Sequence, residues 1–165
     1  GLLRMVSNLT LKSKKWLEGH AISDSIITQT TGFEDIAIRG YNEDCKAYDT
    51  VVEAYRMDKE EQGRINAIQS ASLLAAEIPL DLVSKVHDVS LLHADLRTKY
   101  NKNAHSDFMS SKHLLATSAI IGAYNVKANL PEISDLDRHA IASKLYDMMN
   151  EIENMLSITL DWSGP

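Results

Sequence analysis

The sequence predicts an all-α fold, an antiparallel bundle of five to six helices in which one long helix is kinked at Pro79. Three observations lead there. Apolar residues recur at three-and-four spacing along most of the chain, the period of a half-buried helix. Seven glycines and three prolines in 165 residues are too few for the many turns of an all-β or doubly wound α/β chain. Asp58 with Glu61, and Ser134 with Asp137, have the spacing of helix N-caps with an acidic partner three residues on.

The elements follow in order. Leu2, Leu3, Met5, Val6 and Leu9 crowd one short helix, with Gly19 as its stop after a polar stretch. From Ala21 to Met57 apolar residues keep helical spacing, but Gly32 and Gly40 interrupt it. A helical glycine costs about 1 kcal/mol relative to alanine, so this segment reads as two helices or one bent helix. Asp58 opens the strongest pattern, in which Ile65, Ile68, Ala75, Leu82, Val86, Val89 and Leu96 define a helix of nearly forty residues. Pro79 lies inside it and should kink it, because proline removes one donor and clashes with the carbonyl four residues back. Tyr100 to His105 reads as a polar loop, and Ser106 as the cap of a helix running to about Leu130, where Pro131 ends it. Ile141, Leu145, Met148, Met149, Ile152, Met155 and Leu156 form the apolar face of the last helix.

Length and composition, 44% apolar and 24% charged, fit one globular domain, 1–165. A net charge of −6 gives no field that favours nucleic acid or an anionic membrane surface. The single cysteine, Cys45, excludes an internal disulfide and a multi-thiolate zinc site. No apolar run approaches the eighteen or so residues that span a bilayer, and the expected setting is cytoplasmic. The chain opens on an apolar run without methionine, so it is expected to begin inside an element whose start is absent.

Metal chemistry has no support, since neither Glu-x-x-His, Asp-x-x-His nor His-Glu-x-x-His occurs. His93, on the apolar stripe of the long helix, reads as a hydrogen-bonded core histidine. The informative element is the helix 106–130. At 100° per residue, Asp107, Ser111, Leu114, Ser118, Gly122, Asn125 and Asn129 fall within about one third of its circumference. Asp107 is the only charge among them. Such a stripe suits either a ligand groove or a close helix–helix contact, and both readings stand. Asp107 also complements the helix dipole in the first turn. Asp44, one turn before Tyr48, is either an exposed charge or an acid. Lys12, Lys14 and Lys15 form a basic patch suited to an anionic tail.

Met5-Val6-Ser7-Asn8-Leu9-Thr10, Lys14-Lys15-Trp16, the run Asp44 to Met57, Ala75 to Leu80, Asn101 to Asp107 and Gly122 to Leu130 together resemble the cyclodeaminase/cyclohydrolase family. The resemblance runs along essentially the whole chain. Its most specific parts are Asn-x-x-x-x-Ser-Asp and Asn-Val-x-x-Asn-Leu. It implies an all-helical domain that dimerises and binds folate near the subunit contact, with no metal or cofactor beyond the folate. The deaminase branch converts formimino-tetrahydrofolate to methenyl-tetrahydrofolate with release of ammonia; the hydrolase branch opens the methenyl ring to formyl-tetrahydrofolate. A helical folate binder without turnover is the remaining alternative.

By the same resemblance Asp107 is the first choice for the group that handles protons and Asp44 the next. Asn101, Ser106, Asn125 and Asn129 are polar contacts to the folate, and Lys14 and Lys15 hold its glutamate carboxylates. Two departures stand out. A Pro-Gly-Gly-Gly-Ser-like segment, which in family members usually opens, about thirty residues earlier, a helix whose end corresponds to Gly1 to Leu9, is not in this sequence, and His105 replaces a residue that is often valine or arginine. His105 is either a second proton carrier beside Asp107 or a variable loop residue.

Overall fold

The computed structural model describes residues 1–162. Six α-helices are joined by short connections: α1 (Leu2–Leu11), α2 (His20–Thr30), α3 (Phe33–Arg56), α4 (Arg64–Leu96), α5 (His105–Asn129) and α6 (Asp135–Leu156). Three 3-10 turns, Lys14–Gly19, Lys102–Ala104 and Leu130–Glu132, fill the connections. The fold is an all-α bundle, and no strand occurs among the described residues.

The long helix α4 is the axis of the molecule, with α3, α5 and α6 all packed along it. Leu80 and Val83 of α4, Ala119 and Val126 of α5, and Leu145, Met149 and Ile152 of α6 form the main core. Each large side chain buried there contributes about 1.5–3 kcal/mol. A second core at the other end of α4 joins Val89, Leu92 and Leu96 to Leu3, Val6, Ile26, Tyr100 and Phe108. Small residues set the spacing of α4 and α5. A Cβ at Gly122 would lie 2.6 Å from a Val83 methyl and 3.4 Å from the Pro79 carbonyl, so only glycine fits without displacing its neighbour. The small-residue stripe of α5 is, at that point, a close helix–helix contact.

Pro79 is accommodated within an unbroken α4. It leaves the Ala75 carbonyl without its intrahelical donor. The side-chain nitrogen of Asn129 donates to that carbonyl at 3.3 Å and to the Asn125 carbonyl at 3.0 Å, so the last turn of α5 repairs the gap.

One open boundary is resolved, and two capping expectations need correction. The segment 21–57 is two helices, divided by Gly32 at φ 79°, a left-handed conformation that glycine adopts without strain. Gly40 does not interrupt α3. Asp58 does not cap α4: its carboxylate accepts from the Glu60 amide in a local turn, and the helix starts at Arg64 after Gly63 at φ 103°. Ser106 caps nothing, because α5 already begins at His105. Ser134 does cap α6, its hydroxyl accepting from the Asp137 amide.

Helix α3 buries the smallest share of its residues of the six helices. Ala47 and Ala54 are its only buried side chains, and Ile38, Tyr41 and Tyr48 are each more than 60% exposed.

Candidate functional site

A groove runs over α4 between α3 and α5. It consists of two cavities of about 300 and 630 Å³ that share Ile36, Ala37, Leu82 and Lys85 in their walls. Its floor is apolar, from Leu82, Val86, Val89 and Leu115. Polar groups line its rims. Ser111 and Ser118 of α5 line the smaller half, and Asp44 of α3 faces the larger half together with Asn125 of α5. The uncharged stripe of α5 is thus groove wall along Ser111, Ser118 and Asn125, and helix contact at Gly122. Both sequence readings hold, at different residues.

Gly40 lines the larger cavity with Pro79, so the glycine that weakens α3 also removes a side chain from the groove wall. Three cations on the groove escape the sequence reading: Arg4, Arg39 and Lys85. Lys85 is paired with Asp81 one turn back, at 2.7 Å. The only sequence signal of the three cations was charge, which a solvated helix face carries as well.

Asp107 lies elsewhere. Asp107 and Asn125 are eighteen residues apart on α5, which is five full turns, so they share one line along the helix and stand about 27 Å apart. Asp107 lines neither half of the groove.

The residues around Asp107 are tightly organised. His93 and Phe108 stack with ring centres 4.0 Å apart, and Phe108 stacks on Tyr100 at the same distance. The Lys102 ammonium sits 3.7 Å from the Tyr100 ring centre, a cation–π contact. His93 is buried and its Nε2 donates to the Phe108 carbonyl at 3.2 Å. Burial holds its pKa below the ordinary value, a shift that Lys112 and Arg97 reinforce. The reading of His93 as a core histidine is correct.

His105 is held by the Tyr100 hydroxyl, 2.5 Å from its Nδ1, and burial keeps that phenol protonated by raising its pKa. Two helical positions turn a side chain through about 200°, so His105 faces the Tyr100 stack and points away from Asp107.

Asn101 ties the α4–α5 connection to α1. Its side-chain nitrogen donates to the Leu9 carbonyl, its oxygen accepts from the Asn103 amide, and its backbone amide donates to Thr10. Lys14 and Lys15 lie at the same end, because the turn they begin packs Gly19 against the Lys99 carbonyl. With Lys12, Lys99 and Lys102 they make that end basic in an otherwise acidic chain. Ser106 is exposed in the first turn of α5. The structure therefore gathers Asp44 and Asn125 at the groove. Asp107, Ser106, Asn101, Lys14 and Lys15 collect around the α4–α5 connection, with Asp107 one turn beyond Ser111 at the end of the smaller cavity, and Asn129 supports α4. Among the described residues, no three His, Cys, Asp or Glu side chains converge as a metal site, and no helix is long and apolar enough to cross a membrane.

An apolar-floored groove with carboxylates and amides on its rims, set in an all-helical bundle, has the form of the small-molecule sites built between helices. The sequence profile of the formiminotransferase-cyclodeaminase family matches residues 1–150; the chain belongs to that family. It is 28% identical to the methenyltetrahydrofolate cyclohydrolase of Methylorubrum extorquens over 168 aligned positions, covering 94% of this chain and 74% of the relative. Its structure is similar to the crystal structure of formiminotetrahydrofolate cyclodeaminase from Thermotoga maritima, with a TM-score of 0.85, 25% identity, and coverage of 94% of this chain and 76% of that one. The resemblance read from the sequence is thereby confirmed at the level of the family.

Proposed function

We propose that the chain is a formimino-tetrahydrofolate cyclodeaminase, closing the folate's one-carbon unit into methenyl-tetrahydrofolate with release of ammonia. The observation that carries this reading is the groove over α4, where Asp44 and Asn125 face one cavity above an apolar floor. The similarity in structure to a cyclodeaminase over almost the whole chain supports it. An apolar floor suits a flat pterin ring, and polar rims suit its edge donors and acceptors.

The reaction asks for little beyond a placed carboxylate. The attacking nitrogen gives up a proton as its bond to the one-carbon unit forms. The departing amine takes up a proton as its bond breaks, and the cationic amidinium or methenyl centre is held throughout. A carboxylate does all three, by general base and acid catalysis and by opposing the positive charge. Asp107 and Asp44 are the proposed carboxylates. Asn101, Ser106, Asn125 and Asn129 are the proposed polar contacts, and Lys14 and Lys15 the proposed seat of the glutamate tail.

Cyclohydrolase activity is the second reading, favoured by the 28% identity to a methenyltetrahydrofolate cyclohydrolase. One absorbance experiment separates the two. Methenyl-tetrahydrofolate absorbs in the near ultraviolet, so purified protein given formimino-tetrahydrofolate should make that band rise. A fall of the band with methenyl-tetrahydrofolate beyond the uncatalysed rate would assign the hydrolase instead. Saturable binding with no change in either assay would leave a folate binder without turnover.

A further inference from the structure

Helix α3 carries Asp44 on a stretch that touches the rest of the bundle lightly. From Glu34 to Lys46 no side chain is buried. Phe33 packs against the second core at one end, just after the left-handed Gly32. Toward the other end Val51 and Ala54 pack with Ala67, Ile68 and Ala71 of α4. Where Asp44 stands over the larger cavity is therefore decided at the two ends of the helix.

The C-terminal end is gripped by one side chain. Arg64, the first residue of α4, donates from Nε to the Met57 carbonyl and from a terminal nitrogen to the Tyr55 carbonyl, both at 3.2 Å. The last carbonyls of a helix have no intrahelical donor and form its negative pole, and a planar guanidinium reaches two of them in a fixed fork that an ammonium lacks. The same guanidinium lies 5.8 Å from the centre of the Tyr55 ring, within reach of a cation–π contact. Partial burial and a hydrogen bond from its hydroxyl to the Glu132 carboxylate raise the Tyr55 pKa and keep the phenol protonated. Arg64, Tyr55 and Glu132 line one cavity of about 560 Å³. The end of α3 is thus tied to the start of α4 and to the α5–α6 connection.

We propose that Arg64 is a positioning residue, whose grip on the Tyr55 and Met57 carbonyls sets where Asp44 stands over the groove. This rests on the reading that Asp44 serves the reaction. Asp44 lies eleven residues before Tyr55, about 16 Å along the helix. Over that length a tilt of about 4° at the gripped end moves the carboxylate by about 1 Å, and a misplacement of that size costs about 100-fold in rate. A contact remote from the chemistry has leverage on it.

The first test reads position and does not depend on turnover. Cys45, the single cysteine, is exposed beside Asp44, and Thr117 is exposed on α5. Spin labels at Cys45 and at Thr117→Cys should give one narrow distance distribution with Arg64 in place, and a broadened or displaced one with Arg64→Gln. Arg64→Lys keeps the charge at the helix end and loses the fork, so it serves where Arg64→Gln does not fold. An unaltered distribution in every folded variant would overturn the proposal.

The second test reads the coupling to chemistry. In the near-ultraviolet assay Arg64→Gln should lower kcat per folded molecule about 100-fold, with KM changed much less. In an Asp44→Asn background the same substitution should lower kcat hardly further, because nothing is left to position. Losses that multiply in the double variant would overturn the proposal. Wild-type turnover in Asp44→Asn alone would instead overturn the role of Asp44, and with it that of Arg64, even where the label distances move.

Discussion

The Asn129 side chain donates to the Ala75 carbonyl, the acceptor that Pro79 leaves without a donor in α4. An amide at the end of one helix thus repairs a defect in the middle of another. Asn129→Ala should cost about 1–2 kcal/mol, the range for a carbonyl left short of its partner. Urea unfolding would measure it. In a Pro79→Ala background the helical N–H returns, and the same substitution should cost markedly less; equal costs in both backgrounds would break the link.

Gly19→Ala should be among the most damaging single substitutions. Its Cβ would lie 2.2 Å from the Lys99 carbonyl oxygen and 3.0 Å from its carbon, and backbone cannot give way as a side-chain tip can. A loss of about 3 kcal/mol or more is expected, in the range of severe overpacking. Gly122→Ala, whose Cβ meets a Val83 methyl at 2.6 Å, should cost less, because that methyl can shift. Thermal unfolding of the two variants side by side gives the order.

Stability should fall as the solution is acidified, with His93 a contributor. Burial lowers its folded pKa beneath the ordinary value, so the unfolded chain takes up a proton more readily than the native one. The contribution is complete above the ordinary histidine pKa of about 6.5 and is lost as pH drops through it toward the lowered native value. His93→Gln should flatten the stability profile between about pH 7 and 5. An unchanged slope would show that other groups set it.

Asp44→Asn should lower turnover about 100-fold or more, within the range removed with a general acid or base, while leaving the unfolding midpoint nearly unchanged because the side chain is exposed. Circular dichroism and the near-ultraviolet assay separate the two effects. Near-wild-type turnover would remove Asp44 from the mechanism.

Much of the fold was legible because its signals are periodic. Ile68, Ala75, Val86, Val89 and Leu96 fix α4 as a helix whatever surrounds them, and Ser134 caps α6 through a hydroxyl that needs only its own next turn. Asp58 misleads because a capping sequence competes with the backbone, and Gly63 at φ 103° sets the start of α4 instead. The site was legible in its residue types and not in its assembly. Asn125 and Asn129 sit one turn apart on the same stripe, yet one faces the groove and the other a carbonyl of α4. An amide looks the same in sequence whichever acceptor it serves. Asp107 and Asn125 coincide on a helical wheel, and the wheel discards the distance along the axis. That distance sets Asp107 apart from Asn125.

The small buried share of α3 bears on affinity as well as on shape. The helix that carries Asp44 has only two fully buried side chains, both alanines, and the groove exists only while that helix lies against α4. A folate bound there would act as the mortar of its own wall, and part of its intrinsic affinity goes into holding α3 in place. The amides of α3 would then exchange with solvent earliest in the free protein and slow the most on saturation. A residue that thickened the α3–α4 contact would tighten binding without touching the ligand.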